Sequence, residues 1–145
     1  MNTKSIHRKK HEIEHSQMLS ESNTELAWGW DSPAGKIRAI RRAQLIAKQA
    51  TLGYGLNVLE IGCGTGLFTE MFSQYGSSIT ALDVSADVLA HARLRGLSPK
   101  QVQFINESIE EYLLLKNINL LNEASSSEFG ICFLIVGKYF LFIAL

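Results

Sequence analysis

Cysteine, net charge and apolar runs of membrane length are what this 145-residue chain lacks, and each shortage removes a class of protein. The two cysteines, Cys63 and Cys132, lie far apart and neither belongs to a C-x-x-C pair, so no redox or zinc element is expected. Fourteen Lys/Arg balance fourteen Asp/Glu. The halves differ in sign, with nine cations against five acids in residues 1–50 and five against nine in residues 51–145. An excess of that size falls well short of the dense basic stripe that a phosphate backbone requires, so no nucleic-acid partner is expected. Residues 131–145 form an apolar tail, but they are fewer than the roughly 18 to 20 residues a membrane span needs, and Lys138 interrupts them. The tail leaves membrane contact as a remote alternative. The basic start, Met1 to Lys10, runs into His11-Glu12-Ile13-Glu14 instead of an apolar core, so no signal peptide is visible and a cytoplasmic location is expected.

What is present is enough for one domain, since 46% apolar content over this length can bury a core. Residues 1–27 read as a polar arm or exposed helix, and residues 28–145 as the domain proper. His7, His11 and His15 repeat every four positions and would share a helical face. No cysteine or carboxylate trio completes a metal site there, and no metal is expected. In Trp28-Gly29-Trp30-Asp31-Ser32-Pro33 a turn leads into a helix capped by Ser32, with Pro33 at its first position, running to about Thr51. Its inward face is Ala39, Ala43, Ile46, Ala47 and Ala50, and Arg38, Arg41, Arg42 and Lys48 lie on the other side.

From Leu52-Gly53-Tyr54-Gly55 onward, short apolar strands alternate with amphipathic helices, which is the pattern of a parallel α/β sheet. Strands are predicted at 57–61, 78–82, 102–105 and about 129–136. Helices are predicted at about 66–75, with Leu67, Met71 and Phe72 inward, at 85–95, with Val88, Leu89 and Ala92 inward and Ser85 as cap, and at 107–116.

The most telling stretch follows the first of these strands. Glu60-Ile61-Gly62-Cys63-Gly64-Thr65-Gly66 sets three glycines at spacing two between a strand and a helix, where a turn must reach backbone conformations closed to larger residues and a ligand must lie against bare main chain. A dinucleotide fingerprint would place its third glycine one residue later, where this chain has Leu67. The run Val58 to Gly66 resembles the first motif of the class I S-adenosylmethionine-dependent methyltransferases: two hydrophobic residues, an acid, then Gly-x-Gly-x-Gly. The resemblance extends over about Leu56 to Ile109 and implies a Rossmann-like, doubly wound α/β sheet with N-terminal helices, S-adenosylmethionine as cofactor, and methyl transfer to a small-molecule acceptor.

The residues expected to hold that cofactor follow from the turn and the strand ends. Gly62, Cys63, Gly64 and Gly66 would offer backbone N–H groups and space, and Glu60 would order the ligand's ammonium group. Asp83, seventeen residues beyond Gly66 at the end of the second strand, can accept two hydrogen bonds from ribose hydroxyls. As a strand-end group it is expected to matter to the ligand and little to stability. Its structural alternative is a turn-forming acid ahead of Ser85. The resemblance places Ser108 where an acid usually meets the adenine amino group and Ile109 where a backbone N–H meets the ring. Their alternative is a helix cap and its neighbour. Cys63 fills a small-residue slot and is not expected to be a nucleophile, and His91 reads as a surface residue.

Downstream the resemblance fades. The family's Phe-Asp segment in the fourth strand is replaced by Glu128-Phe129-Gly130-Ile131, and three further strands of the family pattern are missing before Leu145. The sheet is therefore expected to stop after about four strands, as a truncated form that keeps the cofactor-binding half and catalyses poorly by itself. Two other functions compete, a non-catalytic remnant that holds S-adenosylmethionine and a nicotinamide-dependent oxidoreductase, the latter opposed by the glycine spacing and Glu60.

Overall fold

The computed structural model describes residues 29–116, the strand residues 131–135 and 143–144 through their backbone pairing, and the helical residues 7, 10, 11, 13 and 14. The greater part of the 1–27 arm, His15, Trp28, the 128–130 departure and most of the apolar tail lie outside these residues. Helix α1 spans Pro33–Gln49. Ser32 accepts a 3.0 Å hydrogen bond from the Gly35 N–H as its cap, and Pro33 sits in the first turn, where its missing N–H costs nothing. The five residues predicted for its inward face, Ala39, Ala43, Ile46, Ala47 and Ala50, are all buried.

Strands β1 (Asn57–Ile61), β2 (Ser78–Leu82) and β3 (Val102–Ile105) have the predicted bounds. Between them run α2 (Leu67–Ser73) and α3 (Ala86–Arg93), after β3 comes α4 (Ile109–Lys116), and β4 (Ile131–Ile135) and β5 (Ile143–Ala144) complete the order. Each helix is a little shorter than predicted, because flanking turns tighten: the Tyr75 N–H donates to Phe72 O and the Leu94 N–H to His91 O. Within α2, Phe68 and Thr69 are buried along with Phe72, while Leu67 and Met71 pack at the core's margin.

The strands stand in the order β3-β2-β1-β4-β5. β1 pairs in parallel with β2 on one side and β4 on the other, and β2 with β3. The short β5 adds an antiparallel edge on β4 that the sequence did not announce. Val58, Leu59 and Glu60 are buried in succession, so β1 is covered on both faces, as central strands of such sheets are. Chain order jumps across β1, from β3 on one side to β4 on the other. In an open parallel sheet that switch of direction opens a crevice beyond the carboxyl ends of the strands.

Candidate cofactor site

The turn after β1 enters this crevice. Gly62, Gly64 and Gly66 have φ of 73°, 55° and 75°, left-handed conformations that cost an ordinary L-residue roughly 1–2 kcal/mol each. Above Gly64 the space is open, with nothing within 4 Å of where a Cβ would stand. Gly66 is the opposite case. A Cβ there would come 3.1 Å from Ala92 Cβ, so this glycine lets α3 pack directly against the turn.

The expectation that the turn offers its N–H groups to a ligand needs correcting. Gly62 and Cys63 both donate to Leu82 O (2.8 and 3.0 Å), Gly64 donates to Asp83 Oδ2 (2.8 Å) and Gly66 to Cys63 O (3.0 Å). These four donors hold the turn in shape. What it presents is room and bare backbone.

Asp83, immediately beyond β2, is the residue that ties the strand ends together. Its Oδ2 accepts from Gly64 and its Oδ1 from the Ser85 N–H at 2.9 Å, while its carbonyl accepts from Asn106 Nδ2 at 2.9 Å. The loops after β1, β2 and β3 thus meet on one residue. Burial raises its carboxyl above the usual carboxylate range, opposed by the N–H groups of Ser85, Gly64 and Val84. The turn-forming alternative is thereby realised in the fold. Each oxygen keeps a second acceptor site, so binding is not precluded, and the same carboxylate also ties the loops after β1 and β2 to each other. Ser85 stands at the N-cap of α3 as predicted, though its buried hydroxyl makes no capping bond.

Glu60 is fully buried, and neither carboxylate oxygen has a hydrogen-bond partner. In the sheet it stands opposite Ala81 on β2 and Leu134 on β4. Burial pushes its pKa from 4.5 to about 8. The nearby Thr69 hydroxyl pulls the other way, although it makes no hydrogen bond of good geometry, and the charge of Asp83 adds to the rise. A buried carboxylate without a partner is costly, and what relieves it is a proton or a cationic ligand. Cys63 is buried as a free thiol, and burial, reinforced by Glu60 and Asp83, pushes its ionisation far up, which removes it as a nucleophile.

Ser108 heads α4. Its Oγ accepts from the Glu111 N–H at 3.2 Å, and Glu111 Oε2 accepts from the Ser108 N–H at 3.0 Å, a reciprocal capping box written in the sequence as Ser-x-x-Glu. That signal was legible and marks the helix start two residues after Glu107. Ile109 is the first residue of the helix. Among the described residues no group of three metal-ligating side chains comes together, and no helix is long and apolar enough to cross a membrane.

One residue at the site has no sequence motif. Arg95, just past α3, donates from Nε to Thr65 O in the glycine turn and from Nη1 to Glu70 Oε2 on α2, both at 2.6 Å. On the other flank Trp30 meets Phe68 edge-on, with ring centroids 5.8 Å apart, and Arg42 lies over the Trp30 ring at 5.6 Å, which fixes the start of α1 against α2.

Residues 58–120 match the family model described as a methyltransferase domain. The ubiquinone biosynthesis O-methyltransferase of Salmonella paratyphi A is 29% identical over 108 residues, which are 70% of this chain and 44% of that protein. The enzyme of the same name from Escherichia coli O7:K1 is 30% identical over 118 residues, 77% of this chain and 48% of that one. The chain therefore spans less than half the length of the curated relatives it matches. Among solved structures, the N-methyltransferase NodS from Bradyrhizobium japonicum WM9, in complex with S-adenosyl-L-homocysteine, aligns over 67% of this chain and 47% of its own with a TM-score of 0.53 and 23% identity, a likeness of fold. With its acid and three left-handed glycines at the end of β1 and the methyltransferase-domain match running on from Val58, the chain resembles the class I S-adenosylmethionine-dependent methyltransferases over residues 58–120.

Proposed function

We propose that residues 28–145 form the cofactor-binding part of a methyltransferase that takes S-adenosylmethionine and acts on a small-molecule acceptor. The observation that carries this reading is the pairing of an open glycine turn with the buried, partnerless carboxylate of Glu60, two residues before its first glycine. A cationic ligand would satisfy that carboxylate, whereas the pyrophosphate of a dinucleotide would bring a further negative charge toward it. In this proposal Glu60 supplies the charge that the ligand's ammonium group needs. Gly62, Cys63, Gly64 and Gly66 give the ligand room, Asp83 uses its remaining acceptor sites for ribose hydroxyls, and Ser108 and Ile109 face the adenine side. When bound, S-adenosylmethionine supplies a methyl group on a sulfonium centre for in-line attack by an acceptor nucleophile. The protein's part is to hold donor and acceptor in line.

The names of the relatives support a small acceptor methylated on oxygen, and a cytoplasmic location accords with the free thiol of Cys63. Because the match spans less than half of those relatives, a second reading stands beside the first: a module that holds the cofactor without transferring its methyl group. Calorimetric titration with S-adenosylmethionine, S-adenosylhomocysteine and NAD at matched concentrations tests the cofactor. Binding of the first two and not the third is expected, and tighter binding of NAD overturns the proposal. Transfer of labelled methyl to a panel of small hydroxyl compounds separates enzyme from module.

A further inference from the structure

We infer that Arg95 is a positioning residue of the cofactor site, holding the glycine turn in its binding shape through a fork that spans the Thr65 carbonyl and the Glu70 carboxylate. The inference rests on the reading of the turn as the cofactor site. A turn built on three left-handed glycines is the segment of the chain with the most backbone freedom to lose, so its shape must be imposed from outside. The peptide between Thr65 and Gly66 is held at both ends: its N–H donates to Cys63 O at 3.0 Å, and its carbonyl accepts from Arg95 Nε at 2.6 Å. The guanidinium is itself oriented by Glu70, the side chain being 17% exposed on the arginine and 43% on the glutamate. Its stem also packs on the turn, since a Cβ at Gly66 would lie 3.4 Å from Arg95 Cδ.

This geometry calls for arginine. A planar fork can donate in two directions at once, whereas a lysine ammonium on a flexible stem can hold one acceptor firmly or two loosely. In this proposal Arg95 acts through the peptide it fixes, so its removal releases the turn and leaves Glu60 and Asp83 in place.

The test compares R95A, R95K, E70Q and the control R93A, whose arginine donates instead to Phe104 O at 3.3 Å. Affinity for S-adenosylhomocysteine is measured by calorimetry well below each variant's melting temperature, and amide hydrogen exchange across 62–66 is measured without ligand. About 10-fold weaker binding is expected for R95A, an intermediate loss for R95K and E70Q, and near-wild-type binding for R93A. R95A/E70Q is expected to bind no more weakly than R95A, because both changes release the same peptide. Faster exchange at Gly64 to Gly66 in R95A should accompany the loss. Unchanged exchange and affinity in R95A overturns the inference, and so does an equal loss in R93A, which would mean that the arginine acts only through its charge. If the wild-type chain binds no S-adenosylhomocysteine, the cofactor reading fails, and the exchange measurement decides the role of Arg95 independently.

Discussion

Glu60 carries a free-energy cost that depends on pH. Its carboxyl titrates near 4.5 in an unfolded chain and at about 8 in the fold, so the folded state binds the proton more tightly. Stability from this group is complete below the unfolded pKa and is lost progressively as pH rises from about 4.5 to about 8, beyond which the full cost of the buried charge is present. Glu60→Gln should therefore match wild type near pH 4 and exceed it at pH 8 by up to ~4 kcal/mol, an upper figure because the neighbourhood relaxes. Urea denaturation at the two pH values checks this, and equal differences at both would show that Glu60 is solvated or paired in the fold. Asp83 behaves differently, since its oxygens already accept from Gly64 and Ser85. Asp83→Ala should weaken cofactor binding by about 30- to 1,000-fold and also cost about 1–2 kcal/mol of stability, because the strand-end loops lose their common anchor. Parallel titration and denaturation measure both. Loss of stability without loss of affinity would reduce Asp83 to a structural tie.

Among the elements, the glycine turn separates two functions that its repeated pattern hides. Gly64→Ala meets no neighbour and should cost about 1–2 kcal/mol from strain at φ 55°, yet its methyl enters the open space and should abolish most binding. Gly66→Ala adds crowding against Ala92 to similar strain and should cost about 2–4 kcal/mol. Melting curves and cofactor titrations of the pair should thus rank in opposite orders. The strands β1, β2 and β3 were legible as short apolar runs bounded by turn residues, the buried face of α1 by its helical period, and Ser32-Pro33 is a local signal read locally. Phe68 and Thr69 were not, since a seven-residue helix carries too few turns for its inward face to be fixed by period alone. Arg95 and the spent N–H groups of the turn were illegible for a different reason. Their partners, Glu70, Leu82 and Asp83, lie far along the chain, and nothing local announces the meeting. At Ser108 the helix cap, the alternative to the adenine contact that the family resemblance implies, is legible because its Ser-x-x-Glu signal is local.

Across the whole molecule, the candidate site belongs to no single element, because the glycine turn, Asp83 and Asn106 close on one another at three strand ends. A ligand bridging those ends should stabilise the described domain as a unit. At S-adenosylhomocysteine concentrations about 100 times its Kd, the gain is about 2.7 kcal/mol, which for a chain of this size raises the melting temperature by about 5–10 °C. Differential scanning fluorimetry with NAD as the comparison reads this directly. A shift produced equally by NAD would remove the selectivity on which the proposal rests.

The central place of β1 also sets an order in time. Asn57 pairs with Ser78, 21 positions on, and with Ile131, 74 positions on, so the two flanks of one strand close loops of very different length. The nearer partner is both the cheaper to bring in and the earlier to leave the ribosome, so β1, β2 and β3 with α2 and α3 should form the folding nucleus, and β4 should dock afterwards. In stopped-flow kinetics, Ile79→Val in β2, where Ile79 is buried, should slow folding. The half of the sheet that carries the glycine turn and Asp83 would then be assembled before the other flank of the crevice exists, and the cofactor could act as a template on which the later strand closes.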